Sequence, residues 1–270
     1  MNTQSPSITP TSYPPYVAHK PLGGRAYPSI GHLPSSRLGP GDHHVPDGQA
    51  RICTKDCFSS TGTRRVIVTI KYDGSCCAIL RYGDDLIPLV RAGYIATTSP
   101  RLQHYLFSRW VARNRDRIMP CLKHGQRLCG EWLIQAHGTR YDIRREIDLF
   151  RPFDIMEGNR RIPWDEFELL VIKAVGPGWC VECLGEGPWP TEKYMSNAFC
   201  LSGPGDYDRP NLDAEGVVYR VEYASAGSYN YQFEFAAKYV RHDKIDGQYL
   251  PEISGKPPVW NYPPEEFLKW

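Results

Sequence analysis

The chain has 270 residues, 41% of them hydrophobic, and a formal net charge of +2. This length and composition are enough to bury the core of one large domain or two small ones. No apolar run approaches the ~20 residues of a membrane-spanning helix, and the N-terminal "MNTQSPSITP" lacks the basic and apolar pattern of a secretory signal. These features argue against a membrane-spanning or secreted protein and favour an intracellular one, cytoplasmic or nuclear.

Local composition divides the chain into three segments. Residues 1–26 are rich in Pro, Ser, Thr and Tyr and are predicted to be a disordered leader. Residues 27–242 contain the helix and strand patterns and are predicted to form one domain, of which residues 27–57 are loop-like. Residues 243–270 contain several prolines and are predicted to be a C-terminal tail, too short for a second domain.

Strand patterns dominate the first half of the predicted domain. The runs "RRVIVTIKY" and "CCAILRYG" flank "DGS" and predict a β-hairpin in which Gly74 takes a positive φ. A third strand follows at "DLIPLVRAG", where Pro88 indicates an edge strand or a bulge. Apolar residues with helical spacing then predict a helix over residues 101–118.

Strands and helices are mixed in the second half. A short helix begins at Pro163, and a weaker helix is predicted over residues 191–201. Further strands are predicted over four segments, residues 126–137, 149–156, 214–224 and 231–241. Because helices do not alternate with every strand, the expected fold class is α+β with antiparallel sheets.

Lys71 and Asp73 stand in "KYDGS", where the first strand meets its turn. Residues i and i+2 of a strand share a face, so both side chains could face one cleft. A lysine amine is a nucleophile only when neutral, and partial burial or a neighbouring cation favours that state. The pattern is consistent with a nucleophilic lysine and also, more commonly, with a surface Lys–Asp pair at a turn.

Other polar residues interrupt the apolar strands that follow. Glu131 lies in "GEW", Glu215 in "AEGVV" and Lys238 in "FAAKYVR". Together with Lys71 they suggest a site for a polyphosphate and a metal ion, because carboxylates hold Mg²⁺ and lysines bind phosphates. Phe153 in "RPFDI" could stack on a base or belong to the core, and the carboxylates could be ordinary sheet-edge residues.

Arginines cluster in two parts of the chain. Such clusters suit a polyanion, although a solvated helix face with loops gives the same pattern. The clustered residues are Arg109, Arg113, Arg115 and Arg117, then Arg140, Arg144, Arg145, Arg151, Arg160 and Arg161.

The nine cysteines favour free thiols in a reducing compartment over a disulfide framework. A zinc site is the alternative for two closely spaced pairs, Cys53 with Cys57 and Cys180 with Cys183. The spacing within and between these pairs is loose for a zinc site.

Five motifs resemble, in their order along the chain, those of the covalent nucleotidyltransferase superfamily, which comprises ATP-dependent DNA and RNA ligases and mRNA capping enzymes. They are "KYDG" at 71–74, "GEW" at 130–132, "FRPFDI" at 150–155, "EGVV" at 215–218 and "AKYVR" at 237–241. The set is more similar to the stand-alone RNA ligase branch, and the likeness covers about residues 27–242. The resemblance implies an α+β, ATP-grasp-like ligase domain of twisted antiparallel sheets flanked by helices.

The resemblance also implies an ATP-dependent RNA ligase that seals 5′-phosphate and 3′-hydroxyl RNA ends. Lys71 would attack the α-phosphorus of ATP, release pyrophosphate and become lysyl-AMP. AMP would pass to the 5′-phosphate, and the 3′-hydroxyl would displace it. ATP and Mg²⁺ or Mn²⁺ are the expected cofactors, and RNA ends the expected partner.

Roles for individual motif residues follow from the same resemblance. Asp73 and Gly74 would shape the turn that presents Lys71. Phe153 would stack on adenine, and Arg91 in "LVRAG" would contact the ribose or a phosphate.

The remaining motif residues would act on metal and phosphate. Glu131 would hold the ribose hydroxyls or a metal-bound water, and Glu215 the metal or its water. Lys238 would contact the α-phosphate and help Lys71 to lose its proton. His137 and Arg241 are candidates for contact with phosphate or RNA and equally for structural roles.

Some features depart from the pattern of this branch. Ile70 stands where an acidic residue is common, and Ala236 where a second lysine is common. No further domain is expected after residue 242, which argues against DNA ligases and capping enzymes. The alternatives are a DNA ligase or capping-type enzyme, or a non-catalytic RNA-binding protein on a decayed ligase fold. The biological RNA, the choice between nicks and single strands, and the oligomeric state stay open.

Overall fold

The computed structural model describes residues 19–191 and 214–268. The predicted disordered leader lies mostly outside this part of the chain, and among its described residues Ala26 is fully buried. The helix predicted over residues 191–201 also lies outside it, apart from Thr191.

Strands and helices alternate irregularly along the described residues. The strands are β1 (Gly31–His32), β2 (Gly62–Lys71), β3 (Ser75–Tyr82), β4 (Asp85–Val90), β5 (Gln126–Trp132), β6 (Phe150–Glu157), β7 (Arg160–Arg161), β8 (Cys183–Glu186), β9 (Gly216–Ser225) and β10 (Gln232–Val240). The α-helices are α1 (Asp47–Thr54), α2 (Leu102–Arg113), α3 (Arg115–Ile118), α4 (Trp164–Val175), α5 (Pro251–Ser254) and α6 (Glu265–Leu268). Short 3₁₀ helices cover Ala96–Thr98, Met119–Cys121 and Glu146–Leu149. None of these described helices is long and apolar enough to cross a membrane.

The strands form two five-stranded sheets. The first has the order β1–β10–β9–β2–β8 and is antiparallel except for the parallel pair of β1 and β10. The second has the order β4–β3–β5–β6–β7 and is antiparallel throughout. The predicted α+β fold of antiparallel sheets flanked by helices is confirmed, and Pro88 lies in the edge strand β4, as predicted.

The predicted hairpin of β2 and β3 is wrong, because the two strands belong to different sheets. Lys71, at the end of β2, pairs with Gly216 of β9, whereas Ser75, at the start of β3, pairs with Trp132 of β5. Both edges of β2 are occupied by β8 and β9, so β3 has no free edge of β2 to join. Residues 72–74 therefore carry the chain from one sheet to the other.

Gly74 is needed at this crossing because of a close backbone approach, and the prediction of a positive φ is wrong. A Cβ at Gly74 would lie 2.4 Å from the carbonyl oxygen of Trp132. We expect Gly74→Ala to displace the crossing and to lower the free energy of unfolding by about 1–3 kcal/mol, measured by chemical denaturation. Gly48→Ala is the matched control, since a Cβ there meets no atom within 4 Å and Gly48 lies in helix α1. Equal stability of the two variants would contradict the steric argument.

The main core lies between helix α2 and the second sheet. Phe107 and Trp110 of α2 pack on Trp132 of β5 and Phe150 of β6, with ring centroids 5.3–5.8 Å apart. All four side chains are fully buried. The helix predicted over residues 101–118 is confirmed as α2 and α3, because its apolar spacing defines the face that packs on the sheet.

Helix α1 contradicts the prediction that residues 27–57 are loop-like. It begins after Pro46, carries Asp47 in its first turn and buries Ala50 and Cys53. Negative charge in the first turn suits the helix dipole. Two buried side chains are too few for apolar spacing to indicate a helix from the sequence.

Residues beyond β10 pack against the predicted domain. The Asn261 side chain donates a hydrogen bond to the carbonyl of Leu133 at 2.7 Å and accepts one from the N–H of Tyr141 at 2.9 Å. The strand predicted over residues 126–137 ends at Trp132, and the residues after it pair with the C-terminal segment through an isolated antiparallel bridge between Gln135 and Trp260. The C-terminal segment thus takes part in the packed structure.

Candidate active site

A cavity of about 480 Å³ has walls from both sheets and lies where β2 ends and β3 begins. Nine of the ten residues singled out from the sequence line it, namely Lys71, Asp73, Gly74, Arg91, Glu131, His137, Phe153, Glu215 and Lys238. The tenth, Arg241, is not part of the lining. Its backbone N–H donates to the carbonyl of Glu215 at 3.2 Å, and its guanidinium contacts Asp243 at 3.3 Å.

Lys71 forms a salt bridge with Glu215 in this cavity. Glu215 directly precedes β9, whose first residue Gly216 pairs with Lys71, so the register of the sheet brings the two side chains together. Burial opposes the charged form of Lys71, but the carboxylates of Glu215 and Glu131 outweigh burial and raise the pKa of the lysine. Lys71 is therefore an ammonium in this arrangement and must lose a proton before it can act as a nucleophile.

Asp73 is buried and faces a different lysine. One carboxylate oxygen accepts a hydrogen bond from the N–H of Gly138 at 2.8 Å, and the other contacts Lys244 Nζ at 3.1 Å. The backbone N–H of Asp73 donates to the Tyr141 hydroxyl at 2.8 Å. Asp73 and Lys71 share the cavity, as expected, and the alternative of a surface Lys–Asp pair at a turn does not describe them.

Glu131 of β5 binds the backbone of the segment, residues 72–74, that carries the chain from one sheet to the other. Its carboxylate accepts a hydrogen bond from the N–H of Gly74 at 3.1 Å. Burial, followed by the negative charges of Glu215 and Asp73, raises the pKa of Glu131 to about 7, although Lys71 acts in the opposite direction. Glu131 therefore exchanges a proton near neutral pH and is sensitive to any cation that enters the cavity.

The raised pKa of Glu131 predicts a pH dependence of stability. Between the ordinary pKa of 4.5 and about 7, the folded state holds a proton on Glu131 that the unfolded state has lost. Stability therefore falls as the pH rises through this window. We expect wild type to lose about 3 kcal/mol relative to Glu131→Gln between pH 4.5 and 8, measured by urea denaturation. Glu157→Gln, at an exposed position, serves as the control, and parallel curves for wild type and Glu131→Gln would contradict the prediction.

Lys238 of β10 lines the cavity, and its ammonium also contacts a polar group that is not part of the lining. Its Nζ contacts Asp42 at 3.4 Å, and Asp42 also lies 2.9 Å from Nε2 of His32. Parallel pairing of β1 with β10 places His32 opposite Lys238. Burial, followed by the charge of Lys71, lowers the pKa of Lys238. Sequence analysis missed His32 and Asp42, because a two-residue strand has no periodicity.

Another part of the cavity is aromatic. Phe153 of β6 packs edge-on against Tyr27, with ring centroids 4.9 Å apart. The Tyr27 hydroxyl donates to Asp154 at 2.7 Å, and Asp154 pairs with the buried Arg161 at 2.9 Å. The Arg161 guanidinium lies 4.0 Å from the ring centroid of Phe233. Buried ion pairs thus support aromatic rings that can receive a flat base.

Arg91 and His137 contribute polar groups to the lining. The exposed Arg91 donates to the Ser29 hydroxyl at 3.0 Å, and Nε2 of His137 lies 3.1 Å from the side-chain oxygen of Gln103. Burial lowers the pKa of His137. Burial also lowers the pKa of the neighbouring His104 to about 4, and the charges of Arg101 and His137 act in the same direction. Both imidazoles are therefore neutral at pH 7 and suit hydrogen bonding better than charge pairing.

Sequence patterns gave no sign of Lys244, which is buried beside the cavity. Its ammonium contacts both Glu215 and Asp73. Lys244 lies in "RHDKID", after the last predicted strand, where neither helical nor strand spacing is present. Lys244 reaches Glu215 and Asp73 because the chain after β10 folds back onto the residues around the cavity.

The arginine clusters are largely engaged within the protein. The ion pairs are Arg113–Glu146, Arg115–Asp116, Arg144–Asp142, Arg145–Asp148, Arg151–Asp148, Arg160–Glu157 and Arg161–Asp154. Carboxylates so close to these guanidinium groups reduce the positive potential that a polyanion would meet. The clusters therefore give little support to a polyanion-binding surface.

The eight described cysteines are free thiols. Across residues 19–191 and 214–268, no three His, Cys, Asp or Glu side chains are arranged as a ready metal site. The zinc alternative for Cys53, Cys57, Cys180 and Cys183 gains no support from this arrangement.

Comparison with known proteins gives a family match. The family model described as RNA ligase matches residues 64–240. This match includes every predicted site residue except Arg241, from Lys71 to Lys238. No curated protein matches the chain.

Solved structures with a similar arrangement include several RNA ligases. An archaeal ATP-dependent RNA ligase is 19% identical, with 67% of this chain and 43% of that chain covered and a TM-score of 0.40. A Naegleria gruberi RNA ligase mutant with ATP and Mn is 16% identical over 73% of this chain and 54% of that chain, with a TM-score of 0.42. Another mutant of the same ligase with ATP and Mn is 16% identical over 78% of this chain and 58% of that chain, with a TM-score of 0.45. The chain thus spans about half the length of the solved structures it matches.

Proposed function

Because the chain belongs to the RNA ligase family, we propose that it is an ATP-dependent ligase that seals 5′-phosphate and 3′-hydroxyl RNA ends through a lysyl-AMP intermediate. The observation that carries this proposal is the content of the cavity. A lysine amine, a group of carboxylates, a second lysine and an aromatic wall line the same 480 Å³ space. This volume falls within the range of about 300–1,000 Å³ found for small-molecule sites.

ATP binds with its base toward the aromatic wall and its phosphates toward the lysines. Phe153 offers its ring to adenine, and the ion pairs beneath keep the neighbouring Tyr27 in place. Lys238 and Arg91 supply positive charge for the triphosphate. Glu131 accepts a hydrogen bond from a ribose hydroxyl when its carboxylate is ionised.

Lys71 carries out the first chemical step. Its neutral amine attacks the α-phosphorus, a P–N bond forms, and the bond to pyrophosphate breaks as pyrophosphate leaves. The ammonium must first release a proton, and the positive charge of Lys238 opposes the charged form of Lys71. The segment that follows Lys71 is fixed by hydrogen bonds of Asp73 with Gly138 and Tyr141 and of Gly74 with Glu131. These bonds hold the Lys71 amine in position for attack.

Two further steps complete the sealing reaction. The oxygen of a 5′-phosphate attacks the phosphorus of lysyl-AMP, the P–N bond breaks, and Lys71 is regenerated. The 3′-hydroxyl oxygen then attacks the activated 5′-phosphate, a phosphodiester bond forms, and AMP leaves. Neutral His137 offers a hydrogen bond to a phosphate, and Arg241 lies close enough to the backbone of Glu215 to orient an incoming strand near the cavity.

A divalent cation, Mg²⁺ or Mn²⁺, fits the carboxylate group of the cavity. The raised pKa of Glu131 reflects burial and crowding by Glu215 and Asp73, and a cation would relieve that repulsion. Glu215 and Glu131 would hold the ion, since hard cations prefer carboxylate oxygens. The ion supplies charge neutralisation of the triphosphate. Lys71 and Lys244 each contact one oxygen of Glu215, so binding of the ion to Glu215 would require one of these contacts to be released.

Intact-protein mass spectrometry tests the first step. Incubation with ATP and the divalent ion is expected to add one AMP to the protein. An ATP analogue with a methylene bridge between the α- and β-phosphates is the control, because it cannot release pyrophosphate. No added mass with ATP would contradict the proposal.

Matched nicked duplexes test the acceptor. Incubation with ATP, the metal ion and a nicked RNA duplex is expected to give a sealed strand, read on a denaturing gel. A DNA nick of the same sequence separates RNA sealing from DNA sealing. Faster sealing of DNA would favour a DNA ligase, and RNA binding without any adduct would favour a non-catalytic protein.

A further inference from the structure

Two stretches of the sequence contain neither aspartate nor glutamate, namely residues 1–41 and residues 86–115. The structure brings parts of these stretches together. The N–H of Ala26 donates to the carbonyl of Arg91 at 2.9 Å, and the N–H of Ile95 donates to the carbonyl of His19 at 3.1 Å. Neither stretch supplies a carboxylate at this junction, so the positive charge of its lysine and arginine side chains is not neutralised from within.

Four side chains at the junction form what we call the rim surface, namely Lys20, Arg25, Arg91 and Tyr94. Arg25 and Arg91 are exposed, and both donate to the Ser29 hydroxyl, at 3.3 Å and 3.0 Å. Lys20 Nζ lies 4.9 Å from the ring centroid of Tyr94, and Tyr94 is 41% exposed. The rim surface thus combines three cations with an accessible aromatic ring.

The cations of the rim surface contact neutral groups. In the part of the chain that the structure describes, Arg25 and Arg91 meet a hydroxyl and Lys20 meets a ring. The clustered arginines elsewhere are instead paired with carboxylates. Two guanidinium groups that share one hydroxyl also repel each other, and a phosphate placed between them would remove that repulsion.

The rim surface is continuous with the candidate active site. Arg91 belongs both to the rim surface and to the lining of the 480 Å³ cavity. Tyr27 and Ile30, from the same N-terminal segment as Arg25, also line the cavity. A strand whose end enters the cavity on this side therefore passes over Arg25 and Tyr94.

We propose that the rim surface binds a single-stranded segment of the RNA substrate, with backbone phosphates at Lys20 and Arg25 and a base against the exposed part of Tyr94. Surfaces that bind single strands combine cations that follow the backbone with aromatic rings that receive bases. A small anion would need the cations but not the ring. The inference rests on the proposed function for the identity of the strand. Residues 19–30 precede the residues of the family match, so that match assigns them no role.

The first test is the affinity for a 5′-phosphorylated single-stranded RNA oligonucleotide without ATP, measured by fluorescence anisotropy at several salt concentrations. Lys20→Gln and Arg25→Gln are each expected to weaken binding and to make the slope of log K against log salt shallower by about 0.7. Tyr94→Leu is expected to weaken binding about tenfold with an unchanged slope. Arg51→Gln, at an exposed position of helix α1, is the control and is expected to match wild type.

The second test separates RNA phosphates from the phosphates of ATP. Neither Lys20 nor Arg25 lines the cavity, so the double variant Lys20→Gln/Arg25→Gln is expected to form the AMP adduct at the wild-type rate, read by intact mass. A slower adduct with unchanged RNA affinity would assign these cations to the triphosphate and overturn the inference.

The remaining outcomes separate the inference from the proposed function. Wild-type RNA affinity and salt slope in the double variant would overturn the inference and leave the adduct chemistry intact. An equal loss of affinity in Arg51→Gln would also overturn it, because any surface cation would then serve. Absence of an adduct in wild type would overturn the proposed function, whereas weaker RNA binding by the variants would still support the rim surface.

Discussion

Replacement of Lys71 by alanine is expected to abolish the ATP-dependent mass increase, with a loss of rate of at least about a thousandfold. No other described lysine lies at this strand end, and the neighbouring Lys238 and Lys244 are paired with Asp42, Asp73 and Glu215. An amine displaced by even ~1 Å from the α-phosphorus reacts far more slowly. The measurement is intact mass after incubation with ATP and Mg²⁺.

Lys71→Arg is the matched control for this prediction. A guanidinium keeps the positive charge beside Glu215 but is not deprotonated in proteins, so it cannot act as a nucleophile. Both variants are expected to lack the adduct, whereas Lys256→Met is expected to retain it. An adduct on Lys71→Ala would show that another residue carries AMP and would remove the nucleophile assignment.

Replacement of Glu215 by alanine is expected to cost about 3–5 kcal/mol in the free energy of unfolding. Glu215 is buried and bridges Lys71 and Lys244, so its removal leaves two ammonium groups short of a partner. Its folded-state pKa is lowered, despite burial, by the charges of Lys71 and Lys244. The contribution of Glu215 to the free energy of unfolding is therefore present above its ordinary pKa of 4.5, and it is lost as the pH falls through the lower pKa of the folded state. Chemical denaturation at pH 7 and at pH 3.5 measures both effects.

Glu252→Ala serves as the control for this loss of stability. Glu252 pairs with Arg101 at 2.8 Å, but both side chains are about half exposed. Removal of an exposed pair of this kind is expected to cost no more than about 1 kcal/mol. A similar small cost for Glu215→Ala would indicate that the lysines find other partners and that Glu215 does not organise the site.

The order of motifs along the sequence identified nine of the residues that line the cavity. Glu131, Phe153 and Lys238 stand in strands, and Glu215 directly precedes one. Charged side chains are rarely buried without a partner, so such residues in or beside an apolar strand point to a cleft or a sheet edge. Helix α2 was equally predictable, because its apolar spacing is a local property of the chain.

Contacts between distant segments account for what the sequence could not show. β2 and β3 follow one another closely, yet they join different sheets because β8 and β9 occupy both edges of β2. Lys244 reaches the site only because the chain after β10 returns to Gly138 and Arg37. No spacing rule links such positions, since their proximity arises from packing of the whole domain.

The sequence by itself determined which chemical groups this protein carries and in what order, including a lysine at a strand end and carboxylates in and just before two later strands. The tertiary structure decided the charge state of those groups and their partners. Lys71 is held as an ammonium by Glu215, and that carboxylate is divided with Lys244. The physical reason is that a pKa depends on burial and on charges within a few ångströms, whichever part of the chain supplies them.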